Sequence, residues 1–217
     1  MAEIRYEGSK DQNKYTSKYV YLLDNGHGGI IDGVYQTTGK RSPKFDDGRQ
    51  LFEGEYNRAV TKRLCQLLED ANISHFNLVP EEDDISLSER IKRANNIHKL
   101  NGKSIYVSIH ANAHGDGWNS ANGIETYYFA KDGNESIGGK KLANLIHPEF
   151  AKAADRRDRG VKGANFYVLR NTSMPSVLTE SPFMTNKEEA ELMLSNEFRD
   201  KIALGHFSGI LEIEKSF

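Results

Sequence analysis

Short runs of β-branched and aromatic residues alternate with stretches of helical periodicity along almost the whole of this chain, and that alternation leaves few folds open. The runs at 18–24, 75–79, 104–109, 124–130, 166–169 and 176–179 read as strands. Tyr56, Val60, Leu64, Leu67 and Leu68 fall at three- and four-residue spacing and predict a helix over 53–71 with one apolar stripe. A capping box, Ser86-x-x-Glu89, opens a second helix ahead of Ile91, Ala94 and Ile97. A third is expected over 137–154, kinked near Pro148, whose ring removes a backbone donor. The last two cover 187–194 and 197–214, with Asn186 and Asn196 as N-caps. Alternating elements of this kind predict one α/β domain, a mostly parallel twisted sheet of about six strands with helices on both faces.

Composition narrows the chemistry that such a domain can carry. The 217 residues suffice for a core without covalent staples. Cys65 is the single cysteine, so no intrachain disulfide and no four-cysteine or Cys2His2 zinc site can form, and a metal would need histidine and carboxylate ligands. Twenty-nine Lys+Arg against thirty-one Asp+Glu give a net charge of −2, which lacks the basic field expected of a nucleic-acid or anionic-membrane binder. The longest apolar stretch, at 19–23, is far short of the about 20 residues that a membrane span needs, and the polar start lacks the apolar centre of a signal peptide. Synthesis and first folding in a cytoplasm are therefore expected.

In open α/β sheets the ligand crevice lies beyond the carboxyl ends of the strands. His27 follows the first predicted strand, in Asp24-Asn25-Gly26-His27-Gly28-Gly29; His110 and Glu180 end two later ones; Glu53 begins the first helix. Two histidines and one carboxylate with an open fourth position are the usual set for catalytic zinc, and a further glutamate is what such a site needs as proton carrier. Each residue alone has a plainer reading: a loop histidine, a helix-dipole glutamate, a solvated strand end. Three of the four at strand ends on one edge raise the joint case. The irregular stretch 25–52, with six glycines, leaves from the first of these ends, and a loop of that length inside a compact domain is usually functional.

These segments resemble, in order, the motifs of the zinc-dependent N-acetylmuramoyl-L-alanine amidases of the amidase 3 family. The matching pieces are Gly26-His27-Gly28-Gly29; Glu53 with Asn57 four residues later; Ser108-Ile109-His110-Ala111-Asn112; and Glu180-x-x-Phe183-x-x-Asn186. The stretch from Arg159 to Arg170 is also similar to the family's segment before its catalytic strand, and the likeness covers about 18–214 of a single catalytic domain spanning 1–217. The resemblance implies one Zn2+ per chain held by His27, Glu53 and His110. It implies Glu180 as the carboxylate that takes a proton from water and hands it to the departing amine. The implied substrate is the amide between the lactyl group of muramic acid and L-alanine in peptidoglycan. Two departures stand out: Asp24-Asn25 replaces the family's Asp-Pro, and Glu55 lies close enough to compete with Glu53, which keeps the four-residue step to Asn57.

Asn112 and Arg170 are the candidate substrate contacts. Arg156, Arg157, Arg159 and Arg170 are weighed as partners for an acidic stem peptide, against the plainer reading of a solvated basic loop. His114, four residues after His110, is a weak metal candidate; His75, His98, His147 and His206 are expected to cap, hydrogen-bond or face solvent. Trp118 is open to two readings, a sugar-stacking platform or an anchor for its own loop. The alternatives are a zinc carboxypeptidase-like peptidase, disfavoured because Ile30 stands where His-x-x-Glu would place its acid, and a non-catalytic cell-wall binding module. No separate wall-binding domain is expected. The resemblance leaves two routes to the wall, a phage endolysin freed by a membrane-piercing, holin-type partner or an exported bacterial enzyme, with the former favoured.

Overall fold

The computed structural model describes residues 7–8 and 16–217. In chain order the elements are β1 (Glu7–Gly8), β2 (Val20–Asn25), β3 (Ile30–Ile31), β4 (Val34–Tyr35), α1 (Glu53–Asp70), β5 (His75–Asn77), α2 (Leu87–Asn101), β6 (Ser104–Asn112), β7 (Ile124–Lys131), β8 (Asn134–Glu135), α3 (Ile137–Ala154), β9 (Asp158–Ala164), α4 (Tyr167–Asn171), β10 (Ser176–Phe183), α5 (Lys187–Leu194) and α6 (Asn196–Ser216). Eight described strands form one mixed sheet, ordered β1-β5-β2-β6-β10-β7-β8 with β9 beside β7. Its centre, β5-β2-β6-β10, is parallel; β7 runs antiparallel to β10.

Side chains of the central strands alternate between two apolar layers, as the pleat requires. Tyr21, Leu23, Ile105, Val107, Ile109 and Val177 face α1, α3 and α6, where Val60, Leu64, Ile146, Phe150, Ile202 and Ile210 are fully buried. Leu22, Tyr106 and Leu178 face the thinner layer built by Ile91, Ala94 and Ile97 of α2 and Val168 and Leu169 of α4. This gives the α/β sandwich expected from the alternation of elements, with helices on both faces. No helix among the described residues is long and apolar enough to cross a membrane.

Three local expectations are corrected. The run at 166–169 is not a strand: it enters α4, where Arg170 N–H returns to Phe166 O (3.0 Å) and only Val168 and Leu169 are buried. Four apolar residues do not distinguish a strand from one helical turn. The basic stretch read as a loop contains β9, a polar edge strand with no apolar alternation to reveal it. Helix α6 is capped by Ser195, whose Oγ accepts from Phe198 N–H (3.1 Å), because the Asn196 side chain instead accepts from Arg63 Nη2 (2.9 Å). The Ser86 and Asn186 caps stand as read, and Pro148 lies inside α3. Loop 25–52 is partly ordered by the β3-β4 hairpin and by an Arg41-Phe52 bridge.

Three histidines outside the site are held by hydrogen bonds within the fold. His147 bonds Thr126 Oγ1 (2.9 Å) and Asp158 (2.8 Å), and His75 bonds Ile73 O (2.9 Å). His206 is fully buried between Ile202 O (2.7 Å) and Thr179 Oγ1 (2.8 Å), and burial pushes its pKa down to about 4. Native His206 thus stays neutral while the unfolded chain takes up a proton below about pH 6.5, so stability is full above that pH and is lost as pH falls toward 4. The loss should total about 3 kcal/mol at about 1.4 kcal/mol per pH unit. Histidine NMR titration should find the His206 imidazole unprotonated above pH 5, and His206→Asn should flatten the fall of the urea midpoint between pH 6.5 and 4.

Candidate active site

Strand β2 ends in a turn whose backbone is gripped from inside. Asp24 and Arg90 are each 1% exposed and form an ion pair of 2.5 Å; Asp24 also accepts from Tyr106 OH (2.5 Å) and Ser108 Oγ (2.9 Å). Burial alone would raise the Asp24 pKa, but the Arg90 charge and the Tyr106 bond outweigh it and hold the carboxylate ionised. Arg90 donates further to Asn25 O (2.7 Å) and His27 O (3.0 Å), and Arg58 donates to His27 O (2.7 Å). His27 takes a left-handed φ of 68°, uncommon for a residue with a side chain. With its carbonyl fixed inward by two guanidinium groups, its ring is presented to the cavity.

Two glycines permit the close approach that follows. A Cβ on Gly26 would lie 2.1 Å from the His110 ring, and one on Gly54 would lie 1.8 Å from Gly28 O. The first turn of α1 therefore packs against the loop and brings Glu53 beside both histidines, while Asn57, one turn on, donates to Gly26 O (3.1 Å). Glu53 Oε1 lies 3.2 Å from His27 Nε2 and 3.1 Å from His110 Nδ1, and accepts from Ala111 N–H (3.3 Å). The imidazole rings stand perpendicular, 5.1 Å between centroids, and one donor atom from each of the three residues falls within 4.8 Å of the others. These three can hold a metal ion. Burial works to raise the Glu53 pKa, but hydrogen bonds and charge from His110 and His27 override it and hold the carboxylate well below its usual range. Glu55 points elsewhere, in a bidentate pair with Arg199 (2.7 and 2.8 Å).

Register places the other acids. Glu180 on β10 pairs with His110 on β6 and, across β10, with Glu125 on β7. Glu180 Oε2 is buried without a hydrogen-bond partner among the described residues. Burial, followed by the charges of Glu53 and Glu125, pushes the Glu180 pKa well above the ordinary carboxylate value. Glu125, 4% exposed, goes the other way: bonds from Lys162, Tyr127, Arg159 and Asn112 outweigh burial and bring it down to about 2.

His27, Glu53, His110 and Glu180 all line one cavity of about 380 Å3, together with Asn112, Lys40 and an apolar wall that includes Leu87, Phe166, Tyr167 and Met184. Asn112 Nδ2 donates to Glu125 (2.6 Å). Arg170 is outside that lining, bonded to Asn165 (2.8 Å) and stacked on Tyr167. Arg159 is spent on Glu125 (3.0 Å) and Arg156 on Glu188 (3.2 Å); Arg157 borders a separate surface pocket. His114 is exposed and absent from the cavity. Trp118 packs on Phe45 at 4.9 Å, which favours the loop-anchor reading. Sequence reasoning passed over Arg58, Arg90 and Glu125. Arg90 left a trace: it lies four residues before Ala94 and seven before Ile97, on the stripe that α2 buries.

A family model described as N-acetylmuramoyl-L-alanine amidase matches residues 22–212. N-acetylmuramoyl-L-alanine amidase CwlM of Bacillus licheniformis is 34% identical over 189 residues, 87% of this chain and 66% of its own length. The endolysin of Bacillus phage SPP1 is 33% identical over 201 residues, 91% of this chain and 66% of its own. This chain thus spans about two thirds of the length of each of these relatives. The crystal structure of N-acetylmuramoyl-L-alanine amidase from Clostridium difficile 630 superposes with a TM-score of 0.75 at 31% identity, covering 93% of this chain and 99% of that one. With the match running from β2 to α6 and enclosing all four convergent side chains, the chain belongs to the amidase 3 family of N-acetylmuramoyl-L-alanine amidases.

Proposed function

We propose that this chain hydrolyses the amide joining N-acetylmuramic acid to L-alanine in peptidoglycan, with a zinc ion held by His27, Glu53 and His110 and with Glu180 as proton carrier. One observation carries the reading: two imidazoles and a buried, ionised carboxylate converge within 4.8 Å beside a second glutamate whose buried Oε2 has no hydrogen-bond partner among the described residues. Two nitrogens and one hard oxygen suit zinc, and an ion so bound supplies Lewis-acid polarisation and acidifies water.

The chain's own groups do the rest. Glu180 takes a proton from the attacking water as the new C–O bond forms at the lactyl carbonyl, then delivers it to the alanine nitrogen as the C–N bond breaks. An apolar wall excludes bulk water from one side of the cavity and strengthens these interactions. Glu125, fixed by Lys162 and Arg159, orients the Asn112 amide at the cavity edge. The likeness to a phage endolysin supports a further reading, that a holin-type partner gives the protein access to the wall.

Digestion of purified peptidoglycan should release free L-alanyl amino termini without new reducing sugar ends; reducing ends would indicate a glycosidase, and internal stem-peptide cuts a peptidase. Elemental analysis should find one zinc per chain. Chelation should abolish turnover reversibly, and His27→Ala or His110→Ala should lose both metal and activity. Glu180→Gln should lower kcat by about 10²–10⁴-fold while zinc content and Tm hardly change; a variant with near-normal turnover refutes the proton-carrier role, and one that loses zinc makes Glu180 a ligand.

A further inference from the structure

The cavity contains one cation that the proposed chemistry leaves unused. Lys40 lines it with His27, Glu53, His110 and Glu180, and its ammonium has no hydrogen bond or ion pair among the described residues. Its backbone is fixed to the site, since Lys40 O accepts from Glu53 N–H (3.0 Å) and the next residue, Arg41, bridges to Phe52. The segment that seats Glu53 therefore also sets the reach of this side chain.

Five other cations near the site are engaged elsewhere. Arg58 and Arg90 point inward to the carbonyls of the His27 turn and to Asp24. Arg159 and Lys162 neutralise Glu125, and Arg170 lies over Tyr167, outside the lining. With a zinc ion held there, the charges of Glu53 and Glu180 would be offset, leaving the centre of the cavity little net attraction for an acidic ligand. A peptide that carries carboxylates beyond its first alanine can instead pair with Lys40, the lysine of the cavity lining.

The geometry points to Lys40 as a specificity-determining residue that pairs with a carboxylate of the leaving peptide, so that the site favours acidic stem peptides over amidated ones. This rests on the amidase reading above. Lys40 is exposed to solvent, which limits the effect of the pair to a modest preference that salt weakens.

The test uses two soluble muramoyl-L-alanyl peptides, one with free carboxylates and one with carboxamides in their place. In Lys40→Gln the ratio of kcat/KM for the acidic over the amidated substrate should fall about three- to tenfold, mainly through KM. Lys40→Glu should lower it further, Lys40→Arg should restore it, and the wild-type preference should shrink as salt rises. An unchanged ratio in Lys40→Gln, or an equal fall in kcat on both substrates, overturns the assignment. Failure of the wild-type protein to free the alanyl terminus of either substrate would instead overturn the amidase reading, and the Lys40 assignment with it.

Discussion

The position of the first metal-site candidate depends on an ion pair that never sees solvent. Asp24 and Arg90 are buried together, and removing one partner of such a pair typically costs about 3–5 kcal/mol because the other charge is stranded. Tyr106 and Ser108 fill the remaining capacity of Asp24, while Arg90 uses its other donors on the carbonyls of Asn25, His27 and Ile85. The network thus ties β2, β6 and α2 to one turn. A left-handed residue costs about 1–3 kcal/mol and persists only where its surroundings over-determine it. The carbonyl of His27, held by Arg90 and Arg58, meets that condition, and the orientation of its ring follows.

The remaining positions come from sheet register. Because β10 lies between parallel β6 and antiparallel β7, one row across the sheet reads His110, Glu180, Glu125. A shift of one residue in either pairing would turn its side chains to the opposite face. The apolar alternation excludes such a slip: Ile109 and Val107 face the α1, α3 and α6 layer, and Tyr106 and Leu178 face α2 and α4. The same core that stabilises the domain therefore sets the spacing of its polar end. Only Glu53 comes from a helix, and the missing side chain of Gly54 lets that helix start close to the loop.

This division explains what was legible in the sequence. Helices α1, α2, α3 and α5 and the central strands carry apolar periodicity or caps, and their local signals agree with their tertiary partners. Three of the four convergent residues were legible because ligand chemistry restricts residue type and strand ends restrict place, while Glu53, at a helix start, is told from Glu55 by its four-residue step to Asn57. Tyr167–Asn171 was misread because four apolar residues carry no period, and Asp158–Ala164 was missed because an edge strand whose carboxylate partner is the buried Glu125 needs Arg159 and Lys162 more than an apolar face. Arg90 was passed over for a related reason: a charge on a buried stripe makes sense only once its partner on a distant strand is known.

Two glutamates in one cavity are given opposite tendencies by their surroundings, and this asymmetry underlies the proposed roles. Both suffer the penalty of burial. Glu53 escapes it because two imidazoles and a backbone N–H meet one of its oxygens, leaving a stable anion suited to hold a cation. Glu180 Oε2 meets no donor among the described residues, and the carboxyl faces Glu53 and Glu125, so its charged form is disfavoured and it binds a proton readily. Groups whose environments push their pKa values apart are suited to different tasks. Glu125 sharpens the contrast from the other side: bonds from Lys162, Arg159 and Asn112 keep it ionised, and its charge, with that of Glu53, favours the protonated form of Glu180.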